Sequence, residues 1–222
     1  MSITSNLNEI LSTIPTHVKL VAVSKFHSVD AINEAYNAGQ RVFGESRQQE
    51  IAQKQKQLPQ DIEWHFIGHL QTNKIKLILP YAHTIQSVDS WKLISEIEKE
   101  AKKINQQVKC LLEIHIAEED SKDGLSFGEC TEMLSNCDWK NLEFITIAGV
   151  MGMATYTDNM DKVRKEFRSL KLFFDKLKQS FFKESEDFKE ISMGMSHDYP
   201  IAIEEGSTMV RIGTSIFGER EY

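Results

Sequence analysis

A chain of 222 residues with 41% hydrophobic and 27% charged side chains, and only 11 Gly and 4 Pro, has the balance of an ordinary globular protein; collagen-like, low-complexity and disordered classes are excluded. Its 26 basic residues against 33 acidic ones leave a formal charge of −7, which argues against an extended nucleic-acid or anionic-membrane surface. Cys110, Cys130 and Cys137 form neither an even disulfide framework nor a CxxC knuckle, and no segment reads as a secretory leader or a membrane span, so a cytoplasmic protein is expected.

Along the chain, short β-rich runs alternate with longer amphipathic ones. The first dozen residues, with Leu7, Ile10, Leu11 and Ile14, predict a helix ahead of the first strand. Strands are then expected at Val18 to Ser24, Arg41 to Phe43, Glu63 to Ile67, Thr84 to Val88, Val108 to Ile116, Glu143 to Val150, Glu190 to Ser192 and Met209 to Gly213. Between them, runs such as SWKLISEIEKEAKKIN and MDKVRKEFRSLKLFFDKLKQSFF repeat apolar residues every three or four positions among Lys and Glu. Most strand runs are almost continuously apolar, as parallel strands covered by helices are. Eight such units predict a single-domain (β/α)8 TIM barrel over residues 1–222, with a doubly wound open sheet as the alternative because the runs at Arg41 and Glu190 are short.

A barrel of this kind carries its site at the C-terminal ends of its strands. Lys25 follows the apolar run LVAVS; it reads either as a snorkelling lysine paired with a carboxylate or as an amine nucleophile toward an aldehyde. After the last two strands, Gly194, Ser196, Gly213 and Thr214 let backbone approach an anion, and Ser196 or Asp198 could cap a helix over Ile201 to Glu205; ordinary turns are the alternative. With Arg211 between them, a strand-one lysine and a late phosphate cradle together describe a site for a phosphorylated aldehyde.

Four segments in this order, VAVSK (Val21 to Lys25), FGES (Phe43 to Ser46), WHFIGHLQTNK (Trp64 to Lys74) and SMGMSHDYPIAIEEGSTMVRIGTSIFG (Ser192 to Gly218), make the chain resemble the pyridoxal 5′-phosphate homeostasis protein family, barrels of the alanine racemase-like, fold type III kind. The resemblance implies pyridoxal 5′-phosphate as cofactor, carried as an imine on Lys25. It places Ser196, the backbone at Met195, Gly213 and Thr214 on the phosphate and Arg211 at the pyridine nitrogen, with Ser46 flanking the cofactor site; His65, on the third predicted strand, is expected to approach the cofactor plane. It implies cofactor buffering and delivery to apo-enzymes by a monomer or weak dimer, without established catalysis. His27, Ser46 and His115 stand where the family usually has other residues.

Three rivals share parts of this pattern. A racemase needs a second base, usually a tyrosine from an added domain for which no residues are expected beyond Tyr222; Tyr81, Tyr156 and Tyr199 are the internal candidates. A Schiff-base aldolase explains Lys25 but not the matched segments. A metal enzyme would use His65 and His69, four apart but without the HExxH glutamate, and no metal is expected.

Overall fold

Eight parallel strands close on themselves in sequence order, so the last pairs with the first and no sheet edge remains. The computed structural model describes residues 2–119 and 123–219. The strands are β1 (Lys19–Val23), β2 (Val42–Glu45), β3 (Glu63–Phe66), β4 (Ala82–Val88), β5 (Val108–Ile114), β6 (Ile145–Gly152), β7 (Glu190–Met195) and β8 (Met209–Ile212). Helices alternate with them: α1 (Ile3–Thr13), α2 (Val29–Asn37), α3 (Gln48–Lys54), α4 (Ile75–Ile78), α5 (Trp91–Ile104), α6 (Phe127–Asn136), α7 (Met160–Ser180), α8 (Tyr199–Glu204) and α9 (Thr214–Phe217). The predicted barrel is therefore the observed one, and closure removes the open-sheet alternative.

The ends of the strands differ from expectation where pairing, not side-chain character, sets them. β6 runs on to Gly152 because Ile114 and Gly152 still pair, and β7 reaches Met195, which pairs with Arg211. β5 stops at Ile114, whose next partner is Leu125 in an isolated bridge. A register shift between Cys110 and Leu111 requires a glycine opposite: at Gly149, φ is +153° and an added Cβ would fall on the Glu190 carbonyl oxygen.

Most of the apolar core lies between the strands and the helices. Leu20, Ala22, Phe43, Trp64 and Phe66 point outward into it, and α7 answers with Phe167, Leu170 and Leu177. The lumen is different. It holds a small apolar patch of Leu111, Ala148 and Met151, together with buried polar groups from five strands: His65, Gln86, Glu113, Ser192 and Arg211. No helix among the described residues is long and apolar enough to cross a membrane. Cys110 and Cys130 are buried free thiols; burial pushes Cys110 up and Cys130 to about 12, so both stay protonated.

Candidate functional site

At the C-terminal end of the barrel a cavity of about 510 Å³ opens among the ends of β1, β6, β7 and β8. Lys25, Met195, Ser196, Arg211, Gly213 and Thr214 all line it, so six of the eight residues singled out in the sequence meet in one place. Ser46 and His65 are not among its lining residues. Ser46 sits at the end of β2 with its carbonyl against Gly68, and His65 is wholly buried lower in the lumen.

Lys25 is delivered by an unusually constrained turn. Phe26 has a positive φ of 69°, uncommon for a bulky residue, and its N–H donates to Glu50 Oε2 at 2.8 Å. On the other side, Lys54 Nζ donates to the Ser24 carbonyl at 3.0 Å, to Glu45 Oε1 at 2.9 Å and to Glu50 Oε2 at 2.6 Å. The Ser24 hydroxyl also donates to Glu45 Oε1, at 2.6 Å. One buried ammonium thus ties the backbone on both sides of Lys25 to the ends of β2 and α3. Burial raises Glu45 to about 7, against the charge of Lys54 and the bonds from Ser24 and Lys54. Burial acts the same way on Glu50, but the bonds from Lys54 and Phe26 outweigh it and hold its carboxyl below the usual range. Sequence reasoning missed this clamp because its members come from three separate elements; Glu45 stood in the FGES segment just past the predicted end of the second strand, and the structure extends β2 to include it.

Across the cavity, the β7 and β8 loops are tied together. Ser196 Oγ accepts from the N–H of Gly213 at 3.3 Å and of Ser215 at 3.5 Å. Gly213 is packed so closely on β1 that an added Cβ would lie 3.1 Å from the Val23 carbonyl oxygen. Asp198 stands at the N-cap position of α8 but makes no cap bond. Its Oδ1 instead accepts from the Met195 N–H at 2.6 Å, which corrects the expected capping role and fixes the loop carrying Ser196. Pro200 in the first turn shifts the helix start to Tyr199, ahead of the expected Ile201.

Arg211 is 4% exposed, with Nη1 donating to the carbonyl and hydroxyl of Ser192 at 2.8 and 2.6 Å and Nη2 to the Gly152 carbonyl at 3.1 Å. Desolvation lowers its pKa to about 10, with the charges of Asp198 and Glu113 working against the shift, so the guanidinium stays charged at neutral pH. Glu113 is raised to about 7 by burial and by Asp123 and Asp89, despite Arg211. His27 lines the cavity with its ring stacked on Phe217, 5.0 Å between centroids. The backbone N–H of His115 donates to the Leu125 carbonyl at 2.9 Å.

Two of the three candidate tyrosines are engaged elsewhere. Tyr199 bonds Thr13 at 2.9 Å, and Tyr81 packs on the core. Tyr156 is at the cavity rim but 84% exposed. Tyr222 lies outside the described residues. His65 and His69 do not converge either, since His69 turns to Asp89 and Asp123 at 3.7 and 3.6 Å.

The chain's sequence matches the family model for the N-terminal domain of alanine racemase over residues 1–221. It is 40% identical over 205 residues to a pyridoxal phosphate homeostasis protein of Aquifex aeolicus, covering 92% of this chain and 88% of that one. It is 37% identical over 235 residues to the protein so named in Haemophilus influenzae, covering 100% and 98%. PipY of Synechococcus elongatus, solved with PLP bound, superposes with a TM-score of 0.89 at 34% identity over 98% of this chain and 100% of that one. Alanine racemase of Clostridium difficile shares the fold, with a TM-score of 0.77 at 16% identity over 100% of this chain and 57% of that one.

Proposed function

The chain belongs to the pyridoxal phosphate homeostasis protein family, within the group defined by the alanine racemase N-terminal domain, and from that premise we propose that it binds pyridoxal 5′-phosphate in the cytoplasm, buffering the cofactor and delivering it to apo-enzymes. The carrying observation is the convergence of Lys25, Ser196, Gly213, Thr214 and Arg211 on one cavity. The residues fit the cofactor: the cavity has the volume of a cofactor site, and its lining combines the Lys25 side chain and the Arg211 guanidinium with the small-residue loops at Ser196 and at Gly213 and Thr214. When bound, the cofactor supplies an aldehyde carbon open to amines.

Lys25 supplies the amine that holds that carbon, and the Lys54 clamp fixes where the amine stands. Ser196, Gly213 and Thr214 hold the phosphate, while the Met195 N–H, expected there as well, is bonded to Asp198 and fixes the loop that presents Ser196. Arg211 keeps its own proton at neutral pH, and a fixed positive charge facing a ring nitrogen disfavours protonation there; the wall therefore binds and orients but lends little support to carbanion chemistry. Tyr156 and His197 leave the rim open to water, which suits exchange with a recipient better than a closed reaction chamber. Free buried cysteines accord with a reducing compartment.

The test is the absorption spectrum of the protein with added pyridoxal 5′-phosphate, followed by borohydride reduction and peptide mapping. A shifted cofactor band and a label on Lys25, both lost in Lys25→Ala, are expected. A label spread over surface lysines would overturn the site. Amino-acid turnover that disappears with Lys25→Ala would overturn the carrier role.

A further inference from the structure

At the opposite end of the barrel, where the strands begin, Glu63 on β3, His65 on β3 and His83 on β4 each place one ligand atom within 4.8 Å of the other two. Glu63 and His65 are two apart on one strand and so share the lumen face. The two imidazoles stack at 6.0 Å with 14° between their planes, and His83 Nδ1 lies 3.8 Å from Glu63 Oε2. His65 is completely buried. Its Nδ1 lies 2.8 Å from Gln86 Nε2, while its Nε2 has no partner among the described residues. A buried imidazole nitrogen without a partner costs about 1–3 kcal/mol, and a cation among these three residues would remove that cost.

We propose that Glu63, His65 and His83 form a binding site for a divalent cation of the zinc class at the N-terminal floor of the barrel. Two imidazoles and one carboxylate are a borderline nitrogen and oxygen set that favours late first-row ions over magnesium or calcium. Tetrahedral ligands with bonds of about 2.0 Å are about 3.3 Å apart, so the cluster must contract by about 1.5 Å at its widest. The side chains of Glu63 and His83, 44% and 41% exposed, make that movement while buried His65 stays fixed, His83 giving up its 3.1 Å contact with Thr84 Oγ1, and water would complete the shell.

Gln86 supplies the outer support. Without the ion, Gln86 Nε2 donates to His65 Nδ1 and its Oε1 accepts from Ser192 Oγ, so the ring proton stays on Nε2; loading the ion displaces that proton and needs a half-turn of the amide, which puts the oxygen on Nδ1–H and the Gln86 Nε2 on Ser192 Oγ. Two cations face this end as well: Lys19, 3.8 Å from Glu190, and Lys109. Glu190 offsets the first, so the floor carries both signs of charge.

The test uses purified chelator-stripped protein titrated with Zn²⁺ by calorimetry and with Co²⁺ by visible absorption. One equivalent, with the intense visible bands of low-coordinate Co²⁺, is expected. Glu63→Gln and His83→Gln are both at half-exposed positions that should fold, as circular dichroism would verify, and each should weaken binding at least about 10-fold. His17→Gln, at an exposed histidine elsewhere, should leave it unchanged. No binding, or binding indifferent to Glu63→Gln and His83→Gln, would overturn the proposal. These readouts are independent of cofactor loading, so their failure would leave the reading of the opposite cavity untouched.

Discussion

Lys54→Met removes the ammonium that holds the Lys25 turn while keeping the length and apolar character of the stem. Lys54 is 8% exposed and makes three bonds, two of them to carboxylates that are themselves largely buried. Three lost charge-assisted bonds at about 1.5–3 kcal/mol each set an upper bound, because Glu45 keeps the Ser24 hydroxyl and Glu50 keeps the Phe26 N–H. Breaking a buried pair from one side costs about 3–5 kcal/mol, which for a chain of this length lowers Tm by roughly 6–20 °C. The loss should depend on pH. Glu45 titrates near 7 when folded, against 4.5 ordinarily, so the folded state favours its protonated form and its ionisation costs stability as pH rises through that interval. Without Lys54 its folded value moves higher still. The gap between wild type and variant should therefore be widest near pH 8 and narrower near pH 5, where Glu45 carries its proton in both. Thermal unfolding followed by circular dichroism at these two values reads the gap, and borohydride labelling of Lys25 reads the consequence for the site. A gap below about 1 kcal/mol at pH 8, or one that does not change with pH, would refute the clamp.

Glu113→Gln should act in the opposite direction. Glu113 is raised to about 7, so its ionisation costs the folded state stability between about pH 4.5 and 7; the variant should gain up to about 3 kcal/mol at pH 8 and nothing near pH 4.5, measured by urea unfolding. Gly194→Ala forces a side chain onto a φ of +96° with its Cβ 2.6 Å from that of Ala202. A cost of about 2–4 kcal/mol is expected, together with weakened binding of pyridoxal 5′-phosphate in a spectroscopic titration, because Ser196 lies two residues further on.

Alternation and hydrophobic runs made the fold legible, since each helix buries one stripe and each strand is covered outside. What they left out was the lumen. His65, in the middle of the predicted strand Glu63 to Ile67, was read as a neighbour of the cofactor, but lumen-facing residues at different heights look identical in sequence, and the two-residue period says only that His65 points inward. Register decides the height: His65 pairs with Thr84, near the start of β4, well below the strand ends where Lys25 and Ser196 emerge. Asp198 misled for a related reason. An aspartate just before YPIAIE has the signature of a cap, yet a stronger bond to the Met195 N–H took its carboxylate.

The polar lumen is the way this barrel keeps a charged group beneath its cavity. A guanidinium removed from water needs acceptors whose lone pairs already face it. A serine hydroxyl is an indifferent acceptor until its proton is committed, and Gln86 commits it: Ser192 Oγ donates to Gln86 Oε1 at 2.6 Å, which turns its lone pairs toward Arg211 Nη1 at 2.6 Å. Gln86 is held in turn by contacts to His65 and to the Met209 sulfur. The orientation of Arg211 is thus set by a run of side chains from β8 through β7 and β4 to β3, none of which but Arg211 lines the cavity. Filling the lumen with apolar layers would have been cheaper. A run of this kind is kept where the direction of one charge matters more than the last few kcal/mol of stability.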